Sequence, residues 1–187
     1  MRYHDYPKLL EEHTIARVRH TYRQRAERLA AIQTPDEARA YVSAVRAAIS
    51  AAFGPMPPRT PLNARCWRVS NCGEYRLEHL TFESRPGFLV TANLYLPSAH
   101  TQKAPGVLFT CGHSHNGKAA VDYAQACIRL VREGYVVLAY DPINQGERDL
   151  YSLLDTGGRL SRKGPCDGHN IIGRQLHACG DWFGAWR

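Results

Sequence analysis

Histidine, serine, asparagine and lysine crowd into one glycine-bounded stretch, FTCGHSHNGKAA, residues 109–120. Three chemistries could use it. Gly112-His113-Ser114-His115-Asn116 is one residue short of G-x-S-x-G, the turn that exposes a nucleophilic serine; Asn116 stands where the second glycine belongs. Gly112 through Lys118 is one residue short of the phosphate-binding G-x-x-x-x-G-K-[ST]; Ala119 takes the place of the hydroxyl that would bind magnesium. The third reading needs no attacking side chain. Backbone N–H groups on a loop leaving the carboxyl end of a strand can converge on a developing oxyanion. Gly112 then allows a sharp turn, Gly117 opens the following helix, and His113, Ser114, His115 and Asn116 line the mouth of a pocket. This reading fits best. His113 and His115 sit beside Ser114 on the same tight turn, with no evident carboxylate to poise either as its base. Only Asp141, followed at once by Pro142, offers a magnesium-binding carboxylate at a later strand end. An ordinary β-to-α loop capped by Asn116 is the plain alternative.

A second polar group follows a later strand: Asp141, Gln145, Glu147 and Arg148, in DPINQGERD. Open α/β sheets place their sites at the carboxyl ends of strands, so these residues either shape the pocket or pair with each other; pairing is the favoured role. His169 and His177 lack the spacing of metal ligands, and a solvent or core role is expected for them. His4, His13, His20, His79 and His100 carry no signal. The six cysteines, 66, 72, 111, 127, 166 and 179, include no C-x-x-C pair and read as free thiols, Cys111 and Cys127 on buried faces. No metal site and no cofactor is expected.

The elements that must position these residues change period along the chain. Residues 9–33 carry a helical stripe, Ile15, Val18, Tyr22, Ala26, Leu29 and Ile32. Thr34-Pro35-Asp36-Glu37 is a capping box with proline at the first helical position, and the stripe Ala38, Tyr41, Val45, Ile49, Ala52 follows. Gly54 and the prolines at 55, 57, 58 and 61 end that helix. Residues 1–53 are thus expected as a helical extension and 54–73 as a linker. Two strands, 74–83 and 88–96, joined at Arg85-Pro86-Gly87, form an antiparallel hairpin, with Phe88, Val90, Ala92, Leu94 and Leu96 on one side. GVLFTC, 106–111, and YVVLAY, 135–140, read as strands buried on both faces. Between them residues 119–132 are helical, with Ala120, Ala124, Cys127 and Val131 inward and Gly134 as the stop, so the three make a parallel βαβ unit. Residues 156–168 read as loop, and 169–187 as a last helical segment ending in aromatics. The fold class is α/β.

The chain has 187 residues, 44% hydrophobic and 22% charged, as in soluble globular proteins. No apolar run approaches a membrane span and no secretory h-region opens the chain, so a cytoplasmic location without a membrane partner is expected. Net charge is +7, but Arg17, Arg19, Arg23, Arg25 and Arg28 are interleaved with Gln24, Glu27 and apolar residues, as on a solvated helix face. No nucleic-acid motif accompanies them, and no nucleic-acid partner is expected.

Residues 104–149 resemble the α/β-hydrolase superfamily, in its acetyl xylan esterase-like and dienelactone hydrolase-like branch. The matching pieces are APGVLFTCGHSHNGK, AQACIRLVREGYVVLAYD and DPINQGERD. With the hairpin before them and HNIIGRQLHACGDWFGAWR after them, the resemblance extends over 74–187. It implies an incomplete α/β-hydrolase domain over 74–187, a carboxylic ester hydrolase activity on a small-molecule ester, and an oxyanion hole in the loop at Gly112, His113, Ser114, His115, Asn116 and Gly117. Asn144 stands where the resemblance expects glycine, and asparagine tolerates the left-handed backbone such a turn needs. The family's serine, acid and histidine have no counterpart in these residues. The expectation is a fragment, inactive alone, with a sheet edge exposed after the 135–140 strand and an aromatic tail of Trp182, Phe183 and Trp186. Two other classes stand beside it: a non-catalytic interaction module whose edge and tail seek a partner or a second copy, making a homo-oligomer, and a phosphate-loop nucleotide-binding protein.

Overall fold

The structure, a computed structural model, describes residues 8–54, 57–98, 103–150 and 164–185. The chain divides into two units, Met1–Ala52 and Phe53–Arg187.

The first unit is built from α1 (Leu9–Ala30) and α2 (Pro35–Phe53). The capping box between them forms as expected. Glu37 Oε2 accepts the backbone N–H groups of Gln33 at 2.8 Å and Thr34 at 2.9 Å, while Glu37 N–H donates to Thr34 Oγ1 at 3.2 Å. These bonds, those from the Gln33 and Thr34 backbone foremost, hold the Glu37 carboxyl below its usual value. Neither helix has a buried residue, and Ile15, Val18, Tyr22, Val45 and Ile49 are all exposed.

The second unit holds one mixed five-stranded sheet. Its strands are β1 (Arg65–Asn71), β2 (Tyr75–Arg85), β3 (Phe88–Pro97), β4 (Gly106–Thr110) and β5 (Val136–Tyr140), in the order β1-β2-β3-β5-β4. The hairpin is β2 and β3, antiparallel from Tyr75↔Pro97 to Arg85↔Phe88. The βαβ unit is β4, α3 (Val121–Arg132) and β5, with β4 parallel to β5 from Gly106↔Val136 to Thr110↔Tyr140. A fourth helix, α4 (Pro165–Ala178), begins within the stretch expected as loop, with Gly164 before it and proline in its first turn.

Three expectations need correction. Arg65–Asn71, inside the expected linker, is a strand pairing antiparallel with β2. It is an edge strand, exposed along nearly its whole length, so it has no apolar alternation to reveal it. β5, expected at the open edge, lies between β3 and β4, and β4 is the edge. For the same reason β4 is not buried on both faces: Leu108 is 62% exposed. The helix α3 packs on the Tyr95 side of β3, opposite Val90, Ala92 and Leu94. Its Cys127 and Val131 join Tyr95, Val137 and Ala139 in the buried cluster, flanked by Tyr75, Leu77, Val107 and Phe109. The face of β3 that carries Tyr95 also carries Thr91 and Asn93, while its other face carries Val90, Ala92 and Leu94. Each fully buried valine of the cluster, Val131 or Val137, contributes about 1.5–3 kcal/mol.

Candidate functional site

Two loops leave the carboxyl ends of the parallel pair side by side. One follows β4 and holds residues 112–118; the other follows β5 and holds residues 141–148. The second builds the first. Asp141, fully buried, accepts from Thr91 Oγ1 of β3 at 2.6 Å and from Lys118 N–H at 2.8 Å, and it pairs with Lys118 Nζ. Lys118, only 5% exposed, reaches Glu147 Oε2 as well, at 2.5 Å. Gly146 N–H donates to His115 O at 3.0 Å. Gln145 Oε1 accepts Ser114 N–H at 2.6 Å. Two glycines make this possible. Gly117 (φ +50°) and Gly146 (φ +56°) adopt left-handed backbone, and a Cβ on either would fall 2.0 and 2.3 Å from Asp141 Oδ1.

The two expected groups of site residues therefore differ in place. His113, His115 and Asn116 are exposed at the mouth and Ser114 is half-buried. Asp141 and Gln145 are buried beneath them, so they brace the loop and do not line its mouth. Glu147 is exposed and pairs with Lys118. Arg148 turns inward, donates to Asp141 O at 2.8 Å and lies 5.1 Å from the Phe88 ring centroid. Burial pushes its guanidinium below the usual value, against the opposing pull of Asp141 and Tyr140. Asn144 is left-handed at φ 60°, as its identity suggested. Its side chain is 3% exposed and packs where a Cβ on Gly168 of α4 would lie 2.0 Å from its Nδ2. Asparagine fits the turn because glycine stands opposite it.

Hydrogen bonding sorts the loop's amides. Ser114 N–H is taken by Gln145, Asn116 N–H by Ser114 Oγ at 3.2 Å, Gly117 N–H by Ser114 O at 3.1 Å and Lys118 N–H by Asp141. The N–H groups of Gly112 and His113 have no acceptor among the described residues. Among the described residues, amide donors without an acceptor thus lie at the start of the loop, at Gly112 and His113. The same commitments leave little for a phosphate: the lysine and the amides of Gly117 and Lys118 that a phosphate loop would use are already engaged. Ser114 has no imidazole partner among the described residues; the His113 ring turns instead to His169, Nε2 to Nδ1 at 2.9 Å.

Three residues at this site escaped the sequence reading. His169 reaches the loop from α4, fifty-six positions away. Tyr123 of α3 places its hydroxyl where a Cβ on Gly112 would be 2.7 Å away, so close approach, and not a left-handed φ, is what favours glycine there. Thr91 belongs to a strand where it read as an outward residue. No local spacing marks any of them. One polar atom stands out: Gln145 Nε2 is buried with no hydrogen-bond partner among the described residues, a condition that costs about 1–3 kcal/mol. Among the described residues no cluster of three His, Cys, Asp or Glu has the geometry for a metal, and no helix is long and apolar enough to cross a membrane.

No family model matches the chain, and no curated protein matches it. Solved structures similar to it are acetyl xylan esterases and related esterases. A Bacteroides fragilis protein assigned as an acetyl xylan esterase superposes with TM-score 0.65 at 21% identity, over 82% of this chain and 41% of its own. Acetyl xylan esterase 1 from Thermoanaerobacterium gives 0.41 at 19% identity, over 52% and 29%. A glucuronoyl esterase from Solibacter usitatus gives 0.41 at 18% identity, over 72% and 41%. The first of these shows the fold alone: a mixed α/β sheet with helices, shared over 82% of this chain. The chain spans about two fifths of the length of that protein.

Proposed function

We propose that these residues carry the oxyanion-binding part of a serine-type carboxylic ester hydrolase, with the nucleophile, acid and histidine supplied by sequence outside them. The observation that carries the reading is the sorting of amides. A loop at the carboxyl end of a parallel strand, braced by a buried carboxylate and a buried amide, leaves the N–H groups of Gly112 and His113 without an acceptor among the described residues. In this reading a serine attacks the ester carbonyl, and the carbonyl oxygen gathers negative charge as the tetrahedral intermediate forms. Donors already fixed in place stabilise that charge without reorganising. A histidine takes the serine proton and returns it to the leaving alcohol. The substrate class is a small-molecule ester, a sugar acetate among them, and the chemistry asks for no cofactor. A cytoplasmic location belongs to the same proposal.

The test is active-site labelling with a fluorophosphonate together with aryl acetate hydrolysis, on the 187-residue chain and on the product of the same reading frame continued past codon 187. Neither labelling nor turnover is expected from the shorter chain, and both from the longer one. Labelling at Ser114 that disappears in Ser114→Ala would overturn the reading, as would a longer product with no reactive serine.

A further inference from the structure

A chain of hydrogen bonds ties the start of the first loop to α4. His169 Nε2 lies 2.5 Å from the carbonyl oxygen of Ile143, and His169 Nδ1 lies 2.9 Å from His113 Nε2. A carbonyl oxygen can only accept. A neutral His169 therefore carries its proton on Nε2 and offers a lone pair at Nδ1, and a neutral His113 then carries its proton on its own Nε2 and donates to it. The His169 ring is held further by aromatic contacts on two sides, with centroids 4.9 Å from His113 and 5.1 Å from Phe183. His113 has no other side-chain partner among the described residues. Its ring is exposed and would otherwise sample several rotamers and both tautomers.

We propose that His169 is a positioning residue for the oxyanion loop. It fixes the rotamer and tautomer of His113, and with them the direction of the backbone N–H beside that ring. The loop then presents a ring nitrogen lone pair, Nδ1 of His113, to the mouth of the site, where it accepts from a hydroxyl on the ligand. The bond also couples α4 to the loop: a movement of the helix that carried His169 away would release His113. The catalytic meaning rests on the ester hydrolase reading, while the tautomers and the coupling do not.

Long-range proton–nitrogen NMR on the 187-residue chain tests the inference. Both His113 and His169 should appear as fixed Nε2–H tautomers. His169→Phe keeps a ring against Phe183 but cannot accept; it should return His113 to tautomer exchange and shift the amide signals of Gly112 and His113. His177→Phe, at an exposed position of the same helix, should change neither. A proton on Nδ1 of His113 in the unaltered chain overturns the proposal, and so does a His113 unaffected by His169→Phe. If that variant does not fold, the tautomers of the unaltered chain decide alone. In the longer, catalytic product His169→Phe should lower kcat roughly tenfold and leave KM within about twofold, as for a lost orientation. An unchanged kcat with His113 set free would remove the catalytic role. Absence of any activity with the NMR pattern intact would instead remove the ester hydrolase reading and leave the coupling standing.

Discussion

The loop after β4 and the loop after β5 carry similar residues and treat them in opposite ways. The first turns His113, His115 and Asn116 to solvent. The second buries Asp141, Asn144 and Gln145 and commits their polar atoms, Gln145 Nε2 excepted, to backbone, Thr91 and Lys118. The difference teaches that polarity alone does not identify a site. Side chains at the mouth are left open to solvent, and side chains removed from water hold the loop in place. Buried polar groups stay only where partners satisfy them, so the second loop is the less tolerant of change.

The largest expected effect follows from that intolerance. Asp141→Asn removes the buried one of the two carboxylates that meet the buried Lys118 ammonium and leaves it only the exposed Glu147. Breaking one side of a buried ion pair costs about 3–5 kcal/mol. Asn116→Ala in the first loop removes an exposed side chain that makes no capping bond, and should stay within about 0.5 kcal/mol. Urea unfolding of the two variants measures both. Equal losses would break the contrast between the loops.

A smaller effect separates the glycines. Gly146→Ala meets Asp141 Oδ1 at 2.3 Å in left-handed backbone, and should destabilise by about 1–3 kcal/mol from backbone strain alone. Gly112→Ala meets only the Tyr123 hydroxyl, at 2.7 Å and without a left-handed φ. Adding Tyr123→Phe removes the obstructing atom and should restore most of the lost stability. No such rescue exists for Gly146→Ala, since the obstructing atom is the carboxylate that braces the loop. A Gly112→Ala variant that Tyr123→Phe fails to rescue would show that the glycine serves a turn after all.

Much of the frame was legible. The capping box at 34–37, the hairpin and the βαβ unit follow from short-range signals: side chains at fixed offsets, a switch of period, glycine and proline at the ends. Asn144 was legible too, since few other residues accept its backbone angles. β1 was not, because an edge strand with both faces wet has no pattern to show. The place of β5 was not, because strand order is decided by pairings between distant segments, and β3 pairs with β5 across more than forty residues. His169 at the loop is the sharpest case. Its neighbours in sequence belong to a helix start, and only the packing of α4 brings it to His113. The role of Asp141 was half legible: its strand-end position marked it, but its burial, which turns a pocket residue into a brace, depends on Thr91 and Lys118 arriving from elsewhere.

The smallest expected effect lies at the boundary between β4 and its loop. Cys111 is 5% exposed, and burial pushes its thiol from 9.0 up to about 11, with nearby Asp141 adding to the rise and Lys118 opposing it. Cys127, buried in the α3 core, is raised to about 11 as well, mainly by burial and then by Cys111. A thiol is neutral when protonated, so the folded state favours the protonated form. Its contribution to stability is fully present below about pH 9 and is lost as pH rises through about 11. Cys66, Cys72, Cys166 and Cys179 are exposed. At pH 8 a disulfide reagent should therefore modify four thiols quickly and the two buried ones only as fast as the sheet opens. The buried pair should slow in step with each other under stabilising conditions, because both sit on elements of one packed unit. If Cys111 reacts with the fast four, the first loop opens independently of the sheet, and the bracing from the second loop is weaker than its hydrogen bonds imply.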